Sequence, residues 1–496
     1  MRIGIVGAGA AGVGLLDALA ATGGKPGTIT VFDGSPAVWR GRPYQPDIEA
    51  VRVNAPPMIM SIRAGDPTHY QRWLASRTDV AGYRDEALGQ ILVPRARYGE
   101  YLEDTARAAI GELRRAGWRV SIVNARVTGF TRGGYAEYDG AHSVDGAVLH
   151  TEDGGRVPVD RAVLAVGNGR PRDHYGLTGA PGYVNEPYPL AHTLADIAPG
   201  AHVGLIGSGL TAVDIAAALA ANGHTGPISF VSRSGILPFV QKRPVRLELR
   251  HLTPDAILAA ATDGGLTFDH LVALMRAELT DLGQDFDTFA AEILATESEP
   301  PVNRLRRQLA EVDSPHHGSR LLAMAIRVVG PLAWPLLSES DRIRLRERHF
   351  RTINSLSSPM VPHNAKILMR LLDSGQLRLR PGVTKIEARP SGGFTIVGET
   401  DWAADVVVNA VNPPAYTTPT DAGPLVSALL AAGAAELHSR GGLAVDRDTR
   451  APLVRGRSDP TWHVLGNLAA DSMFIATNPP GLATEAKRLA HILSET

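Results

Sequence analysis

Two glycine-rich turns in this sequence have the spacing that brings a protein backbone close to phosphate groups. The first turn, Gly7-Ala8-Gly9-Ala10-Ala11-Gly12, directly follows the apolar segment Arg2–Val6. The second, Gly207-Ser208-Gly209-Leu210-Thr211-Ala212, follows His202–Ile206. In such turns the first glycine allows a tight bend, the second admits a pyrophosphate, and the third position, where alanine is permitted, lets a helix pack on a strand. The residues that we expect to contact two dinucleotides are therefore Gly7, Gly9, Ala10 and Gly12 in the first turn and Gly207, Ser208, Gly209 and Ala212 in the second.

The residue that stands twenty-one positions after each turn differs in charge. Asp33 follows the apolar segment Thr28–Phe32, and its carboxylate can accept hydrogen bonds from a ribose 2′-hydroxyl. Arg233, flanked by Ser232 and Ser234, follows Ile228–Val231, and a guanidinium beside hydroxyls can pair with a 2′-phosphate. The first turn therefore predicts FAD or NAD, and the second predicts NADPH. In a chain whose basic residues are mostly arginine, a solvated surface role for Arg233 stays open.

Two dinucleotide sites in one chain predict an oxidoreductase in which a nicotinamide reduces a bound flavin and the reduced flavin then meets a second substrate. A nucleotide-sensing protein with a degenerate site is disfavoured because both glycine turns are intact. The relevant partners are small molecules, and a homo-oligomer is an open possibility.

Composition narrows the class of protein further. A chain of 496 residues with 44% hydrophobic residues is long enough for more than one core, and its net charge of -1 favours neither nucleic acid nor an acidic membrane. The absence of cysteine excludes disulfides, thiolate metal sites and the flavoenzymes that use a redox-active cysteine pair. No histidine and carboxylate spacing predicts a metal site. Without a signal peptide or a long apolar run, we expect a cytoplasmic protein.

The order of predicted elements indicates an α/β fold with two Rossmann-like dinucleotide-binding domains, the second inserted in the first. We expect the first part of the FAD-binding domain at 1–195, the NADPH-binding domain at 196–400 and the return of the chain to the first domain at 401–496. A helical insertion at about 254–350 is either a packing layer or a substrate wall and oligomer contact. The polar stretch Gly129–Asp145 suggests a hairpin. The strands Arg161–Ala165 and Asp405–Ala410 both run into turns at which the chain would change domain.

Several short motifs resemble a known family, the FAD- and NADPH-dependent N-hydroxylating monooxygenases and the broader flavin monooxygenases. Met58-Ile59-Met60-Ser61 is similar to the family segment that passes the flavin ring, and Asp66-Pro67-Thr68, followed by Tyr70 and Trp73, is similar to the turn and aromatic helix after it. Pro94-Arg95-x-x-Tyr98 resembles the family element that comes next. The stretch from Leu482 to Arg488 resembles the closing helix beside the flavin.

The sequence departs from one branch of that family. Relatives that carry out Baeyer–Villiger oxygenation have F-x-G-x-x-x-H-x-x-x-W before the second glycine turn, whereas this chain has Glu186-x-Tyr188-x-x-x-His192-x-x-x-Asp196. Gly41-Arg-Pro-Tyr44 and Val53-Asn54-Ala-Pro-Pro-Met58 are more similar to a FAD/NAD(P)-binding subgroup that includes enzymes oxidising the amino group of small amino acids such as aspartate. The resemblance therefore favours nitrogen as the oxygenated atom.

The resemblance implies that NADPH reduces FAD, that O2 forms a flavin C4a-hydroperoxide, and that an unprotonated amine takes up one oxygen atom. It also suggests site residues. Asn54, Met60 and Ser61 are candidates for the flavin ring face, although Asn54 could equally cap a turn. Further candidates for cofactor binding are Val127 near the adenine, Gly167, Gly466, and Asn478 with Pro479 at a helix N-terminus that could supply backbone donors or be an ordinary turn. Candidates for holding a substrate carboxylate are Arg243, Arg246, Arg304 and His363, each of which could instead be a surface or packing residue.

Other reactions stay open on the sequence alone. An NADPH-flavin reductase that passes electrons on without oxygenating a substrate needs the same two glycine turns, and so does a monooxygenase that acts on carbon or sulfur.

Overall fold

The computed structural model describes residues 1–133, 146–261, 265–413, 417–439, 441–469 and 478–495. Within these residues the chain forms two five-stranded parallel sheets, each with its own helices, and a helical insertion after the second glycine turn.

The first region of the chain alternates strands and helices. Its elements are β1 (Arg2–Val6), α1 (Ala10–Thr22), β2 (Thr28–Phe32), α2 (His69–Ala75), β3 (Arg84–Asp85), β4 (Gln90–Ile91), α3 (Arg95–Arg115), β5 (Arg119–Val123), β6 (Val127–Arg132), β7 (Ala147–Thr151), β8 (Arg156–Val159) and β9 (Arg161–Leu164).

The second region has the same alternation, interrupted by the insertion. Its elements before the insertion are β10 (Tyr183–Val184), α4 (Leu190–Thr193), β11 (Val203–Ile206), α5 (Leu210–Ala221) and β12 (Ile228–Val231). The insertion consists of α6 (Pro254–Ala260), α7 (Phe268–Asp281), α8 (Phe286–Ser298), α9 (Pro301–Ala310), α10 (Gly318–Val328), α11 (Gly330–Leu336), α12 (Glu339–Arg348) and α13 (Phe350–Ser357). After it come α14 (Pro362–Asp373), β13 (Leu377–Arg380), β14 (Lys385–Ala388), β15 (Phe394–Val397), β16 (Trp402–Ala404) and β17 (Val406–Asn409).

The last region returns to the first sheet. Its elements are α15 (Gly423–Ala431), β18 (Leu453–Val454), β19 (Arg457–Ser458), β20 (Trp462–Val464) and α16 (Pro479–Ser494).

The two large sheets are built on one plan. The first has the strand order β20-β9-β1-β2-β5 and the second β10-β17-β11-β12-β13, so the strand before each glycine turn is central. Helices α1, α3 and α16 pack together beside the first sheet, and a three-stranded antiparallel sheet, β6-β7-β8, covers β1 from the other side. Burial on both faces explains why the inner strands of the two sheets are largely apolar.

Strand pairing confirms that the second domain is inserted in the first. Strand β20 pairs in parallel with β9, so the chain rejoins the first sheet after completing the second. The boundaries differ from those expected at 195/196 and 400/401. Strand β10, at Tyr183–Val184, already pairs with β17, and β17 pairs with β11, so the second sheet includes residues from 183 to 409.

The polar stretch at 129–145 joins an antiparallel pair, β6 and β7, as a hairpin requires, although residues 134–145 lie outside the described part. The helical insertion extends to Ser357, slightly beyond the expected end at about 350, and has an apolar core of its own around Leu279, Leu321 and Trp334.

One apolar core continues from the first sheet into the second. It contains Ile3 and Ile5 of β1, Val203 and Leu205 of β11, and Leu305 of α9. The two domains therefore pack as one body along this core. Among the described residues, none of the helices combines the length and the apolar composition needed to cross a bilayer.

Candidate functional site

The predicted cofactor residues of the first domain meet at one edge of its sheet. Gly7, Asp33, Gly167 and Gly466 follow the carboxyl ends of β1, β2, β9 and β20. Because parallel strands end at the same edge, these residues line the crevice where the strand order reverses, next to β1 and β9, which is where open α/β sheets bind ligands. In the second sheet, Gly207 and Arg233 follow β11 and β12 in the same way.

The first glycine turn is held by close backbone contacts. Gly7 has φ of +104°, and a Cβ there would lie 2.3 Å from the carbonyl oxygen of Ala165, at the end of β9. A Cβ on Gly12 would lie 2.3 Å from the carbonyl oxygen of Gly7. Glycine is therefore required at both positions for helix α1 to begin this close to β1, so that its N-terminus faces the crevice.

Asp33 is fixed against the same turn. Its carboxylate accepts hydrogen bonds from the backbone N–H groups of Ala8 (2.8 Å) and Ser35 (2.7 Å). Two acceptor positions per oxygen leave capacity for a ribose hydroxyl. A loop approaches from the other side, since a Cβ on Gly9 would lie 3.4 Å from Cα of Gly41, which has φ of +64°. The first glycine turn therefore lies between Asp33 on one side and the loop at Gly41 on the other.

The second glycine turn is more open. Gly207 has φ of +112°, and a Cβ there would lie 3.3 Å from the carbonyl oxygen of Ala410, after β17. A Cβ on Gly209 would meet no atom within 4 Å, so this side of the turn has room for a ligand. The Ser208 hydroxyl donates to the carbonyl oxygen of Ile236 (2.7 Å), which ties the turn to the loop after β12. Ala212 is buried, in agreement with the helix-packing role of that position.

Arg233 has the surroundings that an anion-binding residue needs. It is exposed at the end of β12, and no carboxylate pairs with it in the part of the chain that the structure describes. Ser232 differs, because its hydroxyl accepts a hydrogen bond from the Gly235 N–H (2.8 Å). The guanidinium of Arg233 can therefore bind a phosphate without breaking an existing ion pair.

In the segment from Asn54 to Ser61, some polar atoms already have hydrogen-bond partners and one does not. Met60 is buried, and its carbonyl oxygen accepts a hydrogen bond from the Tyr98 hydroxyl (2.8 Å). The buried Ser61 hydroxyl donates to the carbonyl oxygen of Asp66 (2.6 Å), so both side chains hold the segment in place. Asn54 differs, because its buried Oδ1 has no hydrogen-bond partner. Of the three candidates, Asn54 has the atom that is free for a ligand.

The remaining cofactor candidates have mixed surroundings. Val127 is buried in the apolar core between the first sheet and its antiparallel cover. Gly167 (φ of +67°) and Gly466 (φ of +97°) both use the left-handed conformation at their turns. Helix α16 does not offer the backbone donors that we expected from it. Pro479 and Pro480 lack an N–H group, and the Gly481 N–H already donates to Oδ1 of Asn478 (2.9 Å). Residues 470–477 lie outside the described part.

The four candidates for substrate binding do not meet in one place. Arg243 pairs with Asp313 and donates to the carbonyl oxygen of Glu86 (3.2 Å), whereas Arg246 is exposed. Arg304 is 1% exposed and donates to the carbonyl oxygen of Leu237 (2.7 Å), and burial lowers its pKa to about 10. This arginine packs the loop after β12 rather than facing a ligand.

His363 is the candidate that lies beside the first domain. Its backbone N–H, in the first turn of α14, donates to Oδ2 of the buried Asp85 (3.0 Å). Burial, assisted by Arg52, lowers the pKa of the imidazole, so it is neutral at pH 7. His363 and Arg243 thus both contact the turn between β3 and β4.

A buried ionic cluster joins the two dinucleotide domains, and none of its members is among the site residues expected from the sequence. Arg95, at the start of α3, lies 2.6 Å from Oδ2 of Asp214 on α5. The Tyr188 hydroxyl accepts from Arg95 (3.1 Å) and donates to the same Asp214 oxygen (2.7 Å). We call Arg95, Tyr188 and Asp214 the interdomain cluster. Arg95 and Tyr188 come from motifs noted in the sequence, Pro94-Arg95 and Glu186-x-Tyr188, whereas Asp214 lies on α5, and only the fold brings the three together.

Burial and pairing oppose each other in the interdomain cluster. Asp214 is 1% exposed, and burial raises its carboxyl pKa against the lowering effect of Arg95. Burial would also lower the pKa of Arg95, but Asp214 and Tyr188 raise it by more. Each charge in this cluster therefore depends on its partner.

Comparisons with known proteins agree with this arrangement. Residues 4–169 match the FAD-NAD(P)-binding family, and no curated protein matches the chain. L-lysine 6-monooxygenase from Pseudomonas syringae is similar in structure, with a TM-score of 0.58 and 16% identity over 100% of this chain and 99% of that chain. The ornithine N-hydroxylase of Kutzneria sp. 744 is also similar in structure, with a TM-score of 0.55 and 14% identity over 100% of this chain and 98% of that chain.

A third similar structure is the FAD-bound cadaverine monooxygenase of desferrioxamine biosynthesis from Erwinia amylovora, with a TM-score of 0.58 and 13% identity over 100% of this chain and 94% of that chain. The chain therefore shares the fold of these N-hydroxylating flavin monooxygenases along its whole length, as the sequence motifs predicted.

A glycine-to-alanine substitution should affect stability in the first glycine turn and dinucleotide binding in the second. Gly12→Ala should lower the free energy of unfolding by about 1–3 kcal/mol, because its Cβ would overlap the Gly7 carbonyl group. Gly209→Ala should leave stability unchanged and weaken dinucleotide binding at the second turn, because its Cβ would occupy open space beside the turn. Chemical denaturation and equilibrium binding of NADP⁺ measure the two effects. A Gly209→Ala protein that binds NADP⁺ normally would contradict the placement of the nucleotide.

Removing one charge of the interdomain cluster should lower the stability of the protein more than removing both charges. Asp214→Asn should cost about 3–5 kcal/mol in the free energy of unfolding, because it leaves the guanidinium of Arg95 buried without a counter-charge. The double variant Arg95→Met/Asp214→Leu should recover most of that loss, since both charges are removed together. Urea-induced unfolding measures both proteins. Equal stability of Asp214→Asn and the unsubstituted chain would show that the pair does not form.

Proposed function

We propose that this protein is a flavin-dependent, NADPH-using monooxygenase that oxygenates the nitrogen of a small amine, most simply the amino group of an amino acid such as aspartate. The observation that carries the proposal is the pair of glycine turns at the carboxyl edges of two parallel sheets, one with Asp33 and the other with Arg233 at the ribose position. The fold shared with N-hydroxylating monooxygenases supports the same function.

The residues of the first domain fit FAD. Gly7, Gly9 and Gly12 would accommodate the pyrophosphate at the N-terminus of α1, and Asp33 would accept hydrogen bonds from the adenosine ribose. The match of residues 4–169 to the FAD-NAD(P)-binding family supports this assignment. A bound flavin would supply hydride acceptance from the nicotinamide and activation of O2.

The residues of the second domain fit NADPH. Gly207 and Gly209 would admit its pyrophosphate at the N-terminus of α5, and Arg233 would bind the 2′-phosphate that distinguishes NADPH from NADH. The interdomain cluster would keep α5 at a constant distance from the first domain, and with it the nicotinamide at a constant distance from the flavin.

The chain's own contribution to oxygen transfer is then to position the amine and to exclude water. Asn54, with its unpartnered Oδ1, is the side chain that we assign to the amine. An amine reacts through its nitrogen lone pair, so the site must bind the free base or accept its proton. His363, neutral at pH 7 and beside Arg52, is a second group that could take part.

Coenzyme preference tests the role of Arg233. Arg233→Ala should reduce the preference for NADPH over NADH about tenfold or more, because a charge-assisted contact contributes about 1.5–3 kcal/mol. The measurement is anaerobic reduction of the bound flavin by each coenzyme. Arg246→Ala, another exposed arginine in the same domain, is the matched control and should keep the preference. Full selectivity in the Arg233 variant would assign the phosphate to another cation.

Product analysis tests the function itself. The purified holoenzyme, supplied with NADPH, O2 and a panel of amino acids and amines, should form a hydroxylamine or a more oxidised nitrogen product that contains oxygen from labelled O2. Turnover should rise with pH through the ionisation of the substrate amine, at about 10 for a lysine-like amine, because the protonated form lacks a free lone pair. Peroxide as the sole product across the panel would favour a flavin reductase, and oxygenation of a ketone or thioether instead would move the reaction to carbon or sulfur.

A further inference from the structure

Arg52 and Asn54 are half-buried and alternate with two buried valines in a segment that is bridged to Pro94 at Arg52 and bends at Asn54. Val51 precedes Arg52, Val53 lies between Arg52 and Asn54, and both valines are buried. The Val53 N–H donates a backbone hydrogen bond to the carbonyl oxygen of Val93 (3.0 Å) on the neighbouring segment. Arg52 and Asn54 are therefore more exposed than the valines beside them.

Both side chains have buried polar atoms without a protein partner. Oδ1 of Asn54 and Nε of Arg52 make no hydrogen bond. The guanidinium of Arg52 lies 5.4 Å from the centre of the Tyr83 ring, and across the described ranges of the chain no carboxylate forms an ion pair with it. The nearby Arg97 is different, because it pairs with Asp79 and Glu100. Buried polar atoms are nearly always hydrogen-bonded. Oδ1 of Asn54 therefore needs a hydrogen-bond donor, and Nε of Arg52 needs an acceptor.

Arg52 lies where its own segment, the interdomain cluster and α14 come together. The Arg52 carbonyl oxygen accepts a hydrogen bond from Nε of Arg95 (3.2 Å), which links it to the interdomain cluster. On the other side is the first turn of α14, where Arg52 contributes to lowering the pKa of His363. Ligand sites occur preferentially at such junctions between domains.

We propose that Arg52 and Asn54 form the recognition pair for an α-amino acid, with the carboxylate on the guanidinium of Arg52 and the amine nitrogen on Oδ1 of Asn54. The inference rests on the proposed function and specifies its substrate class. A guanidinium presents a fork of N–H donors that matches a carboxylate, and the amide oxygen accepts from an N–H group of the amine.

The pair distinguishes amino acids from the amines that lack their carboxylate. L-ornithine and putrescine, and likewise L-lysine and cadaverine, differ only in that group. The full-length holoenzyme with NADP⁺ should bind the amino acid of each pair more tightly, by about tenfold or more. Isothermal titration calorimetry and ligand-induced thermal shifts measure this binding without turnover, and L-aspartate with β-alanine provides a third pair.

Three variants test the assignment of each group. Arg52→Met should abolish the difference within each pair by weakening binding of the amino acid alone, and Arg52→Lys should restore part of it. Asn54→Leu should weaken binding of both members of a pair. Arg97→Met removes a neighbouring arginine that already has carboxylate partners, so it should leave all affinities unchanged.

The outcomes separate this inference from the function on which it rests. If the unsubstituted protein prefers amino acids and Arg52→Met keeps that preference, the recognition pair is wrong and the proposed function stands. If the unsubstituted protein binds neither amino acids nor amines, both are overturned. Loss of the preference in Arg52→Met but not in Arg97→Met supports the pair.

Discussion

The parallel pairing of β9 with β1 governs the arrangement of the rest of the molecule. It brings the carbonyl group of Ala165 so close to Gly7 that only glycine fits, and it directs the chain out of the first sheet beside the glycine turn. Pairing of β17 with β11 repeats this geometry around Gly207. Because β20 must then return to the free edge of β9, the second domain is confined between two crossings. Strand pairing therefore places each glycine turn at the edge of its own sheet, and the shared apolar core packs the two sheets as one body.

Strand pairing determines the order in which the chain enters and leaves the two domains, but it does not determine the distance between the domains. The shared apolar core supplies most of the contact, and apolar contact has little directional preference. The interdomain cluster adds direction, since one oxygen of Asp214 receives both Arg95 and Tyr188. Buried ion pairs contribute little to net stability compared with apolar residues of similar size, so their value in this position lies in selecting one geometry. The hydride transfer that we propose between two bound groups depends on such a fixed geometry.

The sequence was informative where chemistry depends on local spacing. Patterns of neighbouring residues predicted the glycine turns, the charges at Asp33 and Arg233, and the insertion of one domain in the other. The strand orders of the two sheets are consistent with the predicted turns and with the insertion. Domain boundaries were less predictable, because membership of β10 and β17 in the second sheet depends on pairing between distant segments. The donors expected at α16 failed for a local reason, since two prolines and an asparagine cap leave no free N–H group in its first turn.

Arginine was the hardest residue type to interpret from sequence, because most basic residues in this chain are arginine and composition cannot separate ligand-binding arginines from structural ones. The structure separates them by their partners. Arg243 is paired with a carboxylate, Arg304 supports a loop from the interior, and Arg95 belongs to the interdomain cluster. Arg52 has an aromatic ring for a neighbour, and beside it Asn54 has an unpartnered oxygen. A guanidinium that is paired with a carboxylate or fully buried in the interior stabilises the fold, whereas the guanidinium of Arg52 is half-buried and available for a ligand. This distinction moves the expected carboxylate site from the second domain and its insertion to the first domain, two residues from the side chain that we assign to the amine.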